Sequence, residues 1–230
     1  MKKIILTVAA VFAMSFANAQ DLKSKKGENY LPQSGDWAIG FNADGLFEYV
    51  GNAFNNSGNN APSVDYQNAG TFVGKRFTSD KTAQRVIANL AFGSQTTEDA
   101  GEKTTNSGFD LTAGLGKEWR RGSTRLQGFY GADLVLNISS STEKVTDTGY
   151  EKKTTSGLGF GVGAQGFIGA EYFLFPKISI GAQYTYGALI SIDGEGKITE
   201  TGEDEVKTAK GSSFGIGGVG VSSINLTLHF

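Results

Sequence analysis

From Asp36 to Phe230, large apolar side chains recur at every second position in eight separate runs. A period of two belongs to a strand with one greasy and one wet face, and an amphipathic helix cannot use it. The last seven residues show it most plainly. Ile224, Leu226, Leu228 and Phe230 share one parity, and Asn225, Thr227 and His229 share the other. Eight such strands, with no long apolar run between them, predict an all-β chain whose neighbouring strands are antiparallel.

The remaining strands read as follows, apolar set first. Strand one sets Trp37, Ile39, Phe41, Ala43 and Phe47 against Asn42, Asp44 and Glu48. Strand two, about 68–77, is read with Val73, Lys75 and Phe77 on the apolar face and Arg76 opposite. Strand three sets Val86, Ala88, Leu90 and Phe92 against Arg85, Asn89 and Gly93. Strand four sets Phe109, Leu111, Ala113, Leu115 and Trp119 against Asp110, Thr112, Gly114 and Glu118. Strand five sets Leu126, Tyr130, Leu134, Leu136 and Ile138 against Gln127, Asp133 and Asn137. Strand six sets Phe160, Val162, Ile168 and Tyr172 against glycines and Gln165. Strand seven sets Ile178, Ile180, Tyr184, Tyr186 and Ile190 against Ser179, Gln183 and Thr185. Strand eight changes parity among its glycines or at Ser222-Ser223, where a bulge is expected.

Parity alone does not say which face is outside. Three further features choose. The chain opens Met1-Lys-Lys, runs apolar to Phe16 and reaches Ala17-Asn18-Ala19, the pattern of a secretory signal peptide over 1–19. The connections alternate between short (78–84, 120–123, 173–177) and long and polar (49–67, 94–107, 139–156, 193–212), as in bacterial outer-membrane barrels. The final strand ends on Phe230, which suits an aromatic girdle at a bilayer interface. The expectation is therefore an eight-stranded antiparallel up-and-down transmembrane β-barrel over 36–230, in the cell outer membrane. A polar, aperiodic tether over 20–35 precedes it, and both termini are periplasmic. Trp37, Phe77, Trp119, Tyr172 and Phe230 form its periplasmic girdle, with Lys75 and Lys117 snorkelling at the same rim.

With 21 basic and 23 acidic residues the chain lacks the basic excess of nucleic-acid binders. It contains no Cys, so no disulfide framework is possible. Gly215-Ile-Gly217-Gly-Val-Gly220 matches G-x-G-x-x-G but opens no helix in a βαβ unit, so no dinucleotide is expected. Asp193-Gly-Glu195 lacks the ligand spacing of a calcium loop. No cofactor and no metal are expected. His229 is the single imidazole, placed inward at the periplasmic end, where it serves no hydrolase of the usual barrel kind.

Inward charges are expected to pair, because buried charges need partners. Arg76, Arg85, Glu118, Arg125 and Glu171 lie near the periplasmic end and are expected to form a salt-bridged plug, with Glu118 opposite Arg125. Asp44, Glu48, Asp110 and Asp133 lie higher and are expected to be watered from the loop side. Phe129, Phe167 and Leu189 are expected to fill the space left by the glycines of strand six.

The segment Gly169-Ala-Glu171-Tyr172-Phe-Leu-Phe-Pro176-Lys-Ile-Ser-Ile-Gly-Ala-Gln183-Tyr184 resembles the strand–turn–strand of OmpA/OmpX-type outer-membrane barrels. Leu228-His229-Phe230 resembles that family's C-terminal signal for the barrel-assembly machinery. No peptidoglycan-binding domain is expected after the barrel, so peptidoglycan binding is not implied. The resemblance implies a non-enzymatic, monomeric envelope protein embedded in lipid. Its four extracellular loops would serve envelope integrity or surface contact, with an Asn-rich first loop (Asn52, Asn55, Asn56, Asn59, Asn60) and an acidic fourth (Glu200, Glu203, Asp204, Glu205). The competing expectation is a narrow OmpW-like conduit for small solutes.

Overall fold

The computed structural model describes residues 22–43, 71–218 and 223–230. The described residues are all β, without a helix. Twelve strands follow in order: β1 (Trp37–Asn42), β2 (Phe72–Ser79), β3 (Thr82–Asp99), β4 (Glu102–Arg121), β5 (Leu126–Asp147), β6 (Tyr150–Thr155), β7 (Gly159–Phe175), β8 (Ile178–Asp193), β9 (Lys197–Glu200), β10 (Val206–Lys207), β11 (Gly211–Gly218) and β12 (Ser223–His229). The signal segment and the whole of the first long connection, 49–67 with its asparagines, lie outside the described residues.

Eight of the strands form a closed antiparallel ring, β1-β2-β3-β4-β5-β7-β8-β12, because β12 pairs with both β8 and β1. The alternation divides them as read in all strands but one. Phe92 (70%), Leu115 (67%), Leu134 (68%) and Ile168 (64%) are exposed on the outer face, while Arg85, Glu118, Asp133, Phe129 and Phe167 are buried inside. An exposed apolar surface of that size is abnormal for a chain bathed in water. Ala43, read as outward, is buried at the end of β1.

β2 is the exception. Lys75 and Phe77 face inward and are buried, whereas Phe72 and Arg76 are exposed. Phe72 and Val73 are adjacent, as are Lys75 and Arg76, so the strand's own sequence favours neither face. Register decides it. Trp37 opposes Arg76, whose guanidinium lies 5.4 Å from the indole, and this contact holds Arg76 on the outside.

The long connections differ most from expectation. Residues 94–107 are not a loop: β3 and β4 stay paired from Thr82↔Trp119 to Asp99↔Glu102. That ladder is about 60 Å long at the usual rise per residue, well beyond the 9–11 residues a bilayer needs. Ala100 (φ 49°) and Gly101 (φ 95°) close it, both left-handed as a type I′ hairpin turn requires. Above the ring β5 exchanges β7 for β6, and β6 continues to β9 and β10, so an open sheet stands on one side of the ring. Its residues are mostly polar, with Val145, Ile198 and Val206 together on one face, and many are the β-branched Thr (Thr96, Thr97, Thr104, Thr105, Thr154, Thr155), which suits a solvated strand. Tyr150 donates to Glu200 at 2.8 Å, and this bond to a carboxylate pushes the phenol pKa up.

β11 and β12 follow one course along β8 but in different registers. Gly218 pairs with Tyr186, yet Ser223 pairs with Gln183, so the chain takes two extra residues across the gap. Outward parity is the same on both sides, with Phe214, Ile216, Leu228 and Phe230 exposed. Val219 and Val221, on which the expected change of parity turned, lie outside the described residues.

The segment read as a tether is folded. Lys23 bridges Asn29 in a small hairpin, and Ser24 Oγ accepts from the amides of Lys26 and Glu28. The Ser34 amide donates to Asp80 in the β2–β3 turn, and Gly35 to the Phe77 carbonyl. Tyr30 lies under the Arg125 guanidinium, 3.6 Å away. Arg125 therefore stands in the β4–β5 turn holding this strap, and register places Glu118 opposite Gly131 instead. Loss of a cation–π contact of about 0.5–1 kcal/mol should make R125A about two- to fivefold more sensitive to trypsin at Lys25 and Lys26. Ring stability should hold within about 0.5 kcal/mol. Unchanged cleavage in a digestion time course would show that the strap is held by other contacts.

Candidate functional site: a charge network inside the ring

Inside the lower half of the ring, Lys75 from β2, Arg85 from β3, Glu118 and Arg120 from β4, Asp133 from β5 and Glu171 from β7 meet. Each is buried. Three cations face three carboxylates, so the cluster is formally neutral when all are ionised. Glu118 is its centre: Oε2 lies 2.8 Å from Lys75 Nζ and 2.9 Å from an Arg85 nitrogen, and Oε1 lies 3.2 Å from Arg120. Arg120 also donates to Glu171, and Lys75 lies 4.0 Å from that carboxylate. Arg85 Nε is 3.3 Å from Asp133, and its terminal nitrogens donate to Gln183 at 3.2 and 3.3 Å.

Phenylalanines wall the network in. Arg85 lies 3.7 Å from the Phe167 ring centre, Lys75 4.9 Å from Phe129, and Arg120 5.3 Å from Phe77. The rings have room because glycines face them. A Cβ on Gly131 would run into Phe167, and one on Gly169 into Phe129. Leu189 lies over Gly161 and Gly163, 3.4 and 3.0 Å from where a Cβ would stand. Of the three side chains expected to cover the bare glycines of that wall, only Leu189 does so; Phe129 packs on Gly169 further down β7, Phe167 fills the place beside Gly131 of β5, and Gly159 faces Ser139 and Asp193. The space left beside Lys75, Arg85 and Gln183 is about 20 Å³, enough for about one water.

Above this level the interior is polar but hardly charged. Asn137 donates to Asp110 (2.8 Å) and Thr112 (2.9 Å), and Gln165 donates to Asp133 (3.2 Å). Below it, His229 Nε2 is 3.1 Å from Ser179 Oγ, with the imidazole between Phe173 (5.0 Å) and Phe77 (5.8 Å). Ser–His hydrogen bonding resembles half of a nucleophilic pair. Both residues are buried under those rings, and among the described residues no acceptor orients His229 Nδ1, so the described geometry is that of packing.

The predicted plug thus contains Arg85, Glu118 and Glu171 as read, and two of its members are replaced. Arg76 is outside against Trp37, and Arg125 is on the strap; Lys75 and Arg120 supply those charges. Asp133, read as watered from above, is in the network because Gly116 opposite leaves its carboxylate room. Asp44 and Glu48 lie outside the described residues. Of the girdle set, Trp37 and Phe230 are exposed, Trp119 is half-buried and stacked on Tyr130, Tyr172 is half-buried, and Phe77 is inside. Lys117 is exposed and 5.4 Å from the Trp119 ring.

No family model matches the chain, and no curated protein or solved structure is detectably similar to it.

Proposed function

We propose that this chain is an outer-membrane β-barrel of OmpA/OmpX type, closed to solutes and non-enzymatic. In this reading it maintains the envelope and presents long β hairpins on the cell surface. The observation that carries the reading is the exposed apolar belt around a charged interior, the reverse of a soluble barrel. On β4 the belt runs from Phe109 to Trp119, ten steps along the strand. At a strand tilt of about 40° that spans about 25 Å, the height of the lipid-facing band in such barrels. The strap side faces the periplasm, the hairpins face outward, and the strand ending at Phe230 is the element an assembly machinery would engage. Within the ring no sheet edge is left to pair with another copy, which favours a monomer in the bilayer; the upper sheet ends in the two-residue strand β10.

The conduit reading draws less support. A solute would have to pass Glu118, which three cations hold, and the rings of Phe129 and Phe167. The refolded protein should float with phosphatidylcholine vesicles and give no reproducible openings in planar bilayers. Failure to float overturns the membrane reading. Clear unitary conductance overturns the closed one.

A further inference from the structure

The outer face of the upper sheet carries a line of like charges. Directly opposed residues in an antiparallel ladder point to the same side. Lys144 opposes Lys153, and Lys197 opposes Lys207. Like charges in such positions destabilise a sheet, so two pairs in one small sheet need a reason. The same registers put Lys103 diagonally beside Lys144, and Lys153 diagonally beside Lys197. Five lysines from β4, β5, β6, β9 and β10 therefore form one unbroken diagonal stripe, with neighbouring Cβ atoms about 5–8 Å apart. β5 carries the outward-facing Ile138 lower down the same face, so the stripe belongs to the face that bears the apolar belt.

Acidic groups flank the stripe without interrupting it. Glu151 meets Lys144 at 2.9 Å, Glu205 meets Lys197 at 3.0 Å and Glu195 meets Lys207 at 2.8 Å. Glu98 opposes Lys103. These pairs are exposed, and exposed ion pairs are weak enough to exchange for a stronger anion. Lys153, central in the stripe, has no ion pair among the described residues. Lys152 points to the opposite face, toward Glu200 at 3.8 Å.

Height selects the anion. The belt on β4 ends at Phe109, which pairs with Ser140 of β5. The row holding Lys197 and Lys207 includes Thr142, two residues higher, and the Lys144–Lys153 pair stands two residues higher again. Lys103 opposes Thr146, about 15 Å above the belt, and stands clear of the lipid. At a tilt near 40° the two lower rows rise about 5 and 10 Å, and the headgroup layer of a bilayer is about 5–8 Å deep. Lysine stems reach down across that difference by snorkelling. Each directly opposed pair brings two ammonium groups onto one phosphate, which turns the mutual repulsion into shared binding.

We propose that the lower stripe Lys144–Lys153–Lys197–Lys207 docks the phosphate groups of lipid headgroups in the surrounding outer leaflet. The inference rests on the membrane reading above. Its test is lipid selectivity of the full chain in phosphatidylcholine vesicles, read with spin-labelled phosphatidic acid against spin-labelled phosphatidylcholine. Wild type should prefer phosphatidic acid about tenfold, and K144Q/K153Q/K197Q/K207Q should fall close to parity. The matching four-arginine variant should keep the preference, which separates loss of charge from loss of the sheet. A chain that floats without preferring phosphatidic acid, or a glutamine variant that keeps the preference, overturns the stripe and leaves the membrane reading intact. A preference abolished by inorganic phosphate assigns the lysines to soluble anions and overturns the lipid commitment. A chain that does not float overturns both readings.

Discussion

E118A is expected to lower the unfolding free energy by about 3–5 kcal/mol, the usual cost of breaking a buried ion pair from one side. The effect is large because one carboxylate meets Lys75, Arg85 and Arg120 at once, so its removal leaves a net positive cluster behind phenylalanine walls. Glu171 and Asp133 are already engaged with Arg120 and Arg85 and cannot turn to replace it. E118Q keeps the shape and loses only the charge, so it should fall between wild type and E118A. The measurement is urea unfolding in phosphatidylcholine vesicles, followed by fluorescence of Trp37 and Trp119. A loss below about 1 kcal/mol would mean that the cations are solvated, as in an open lumen, since a typical surface pair is worth no more.

F167A is expected to cost a similar amount, about 3–5 kcal/mol, for a different reason. Phe167 is buried, stands against Phe129 with ring centres 6.3 Å apart, and fills the place that Gly131 leaves open. Truncation leaves a cavity that a glycine wall cannot collapse to fill. It also strips the aromatic face from Arg85, whose guanidinium lies 3.7 Å away. Arg85 touches both Glu118 and Phe167, so E118A and F167A should not add. A coupling of about 0.5–3 kcal/mol in the double mutant is the expected signature, and strict additivity would show the ring and the ion cluster to be independent.

Alternation made most of this ring legible before any coordinates, because Leu115 stands between two glycines and Asp133 between the apolar Ala132 and Leu134, contrasts that leave each face unambiguous. Strand β2 was not legible in itself. Phe72-Val73 and Lys75-Arg76 put the same chemistry on both faces, and only pairing with Trp37 breaks the tie. That tie concealed Lys75, one of the three cations in the site. Arg120 was hidden by the expected turn at 120–123, whereas β4 runs to Arg121 and the left-handed Gly122 follows it. The upper sheet was misread as loops for another reason: its apolar residues are single ones (Val145, Ile198, Val206) on separate strands, too few to reveal a period. Its legible signal was the density of threonine beside Ala100-Gly101, which suits a hairpin and not a coil.

The ring is fastened where Ala38 meets His229 and where Trp37 and Phe230 exchange backbone hydrogen bonds, each 2.8 Å long. Every other neighbouring pair in the ring joins strands that follow one another around it. This seam alone joins positions 191 residues apart. Its closure therefore bears the largest loop entropy and comes late in folding, after the hairpins exist. Until then two strands each offer a row of unpaired amides and carbonyls, which hydrocarbon does not tolerate. Under the proposed membrane reading a half-zipped ring has no stable place in a bilayer, so insertion and closure would be one cooperative event, timed by the last strand to find the first.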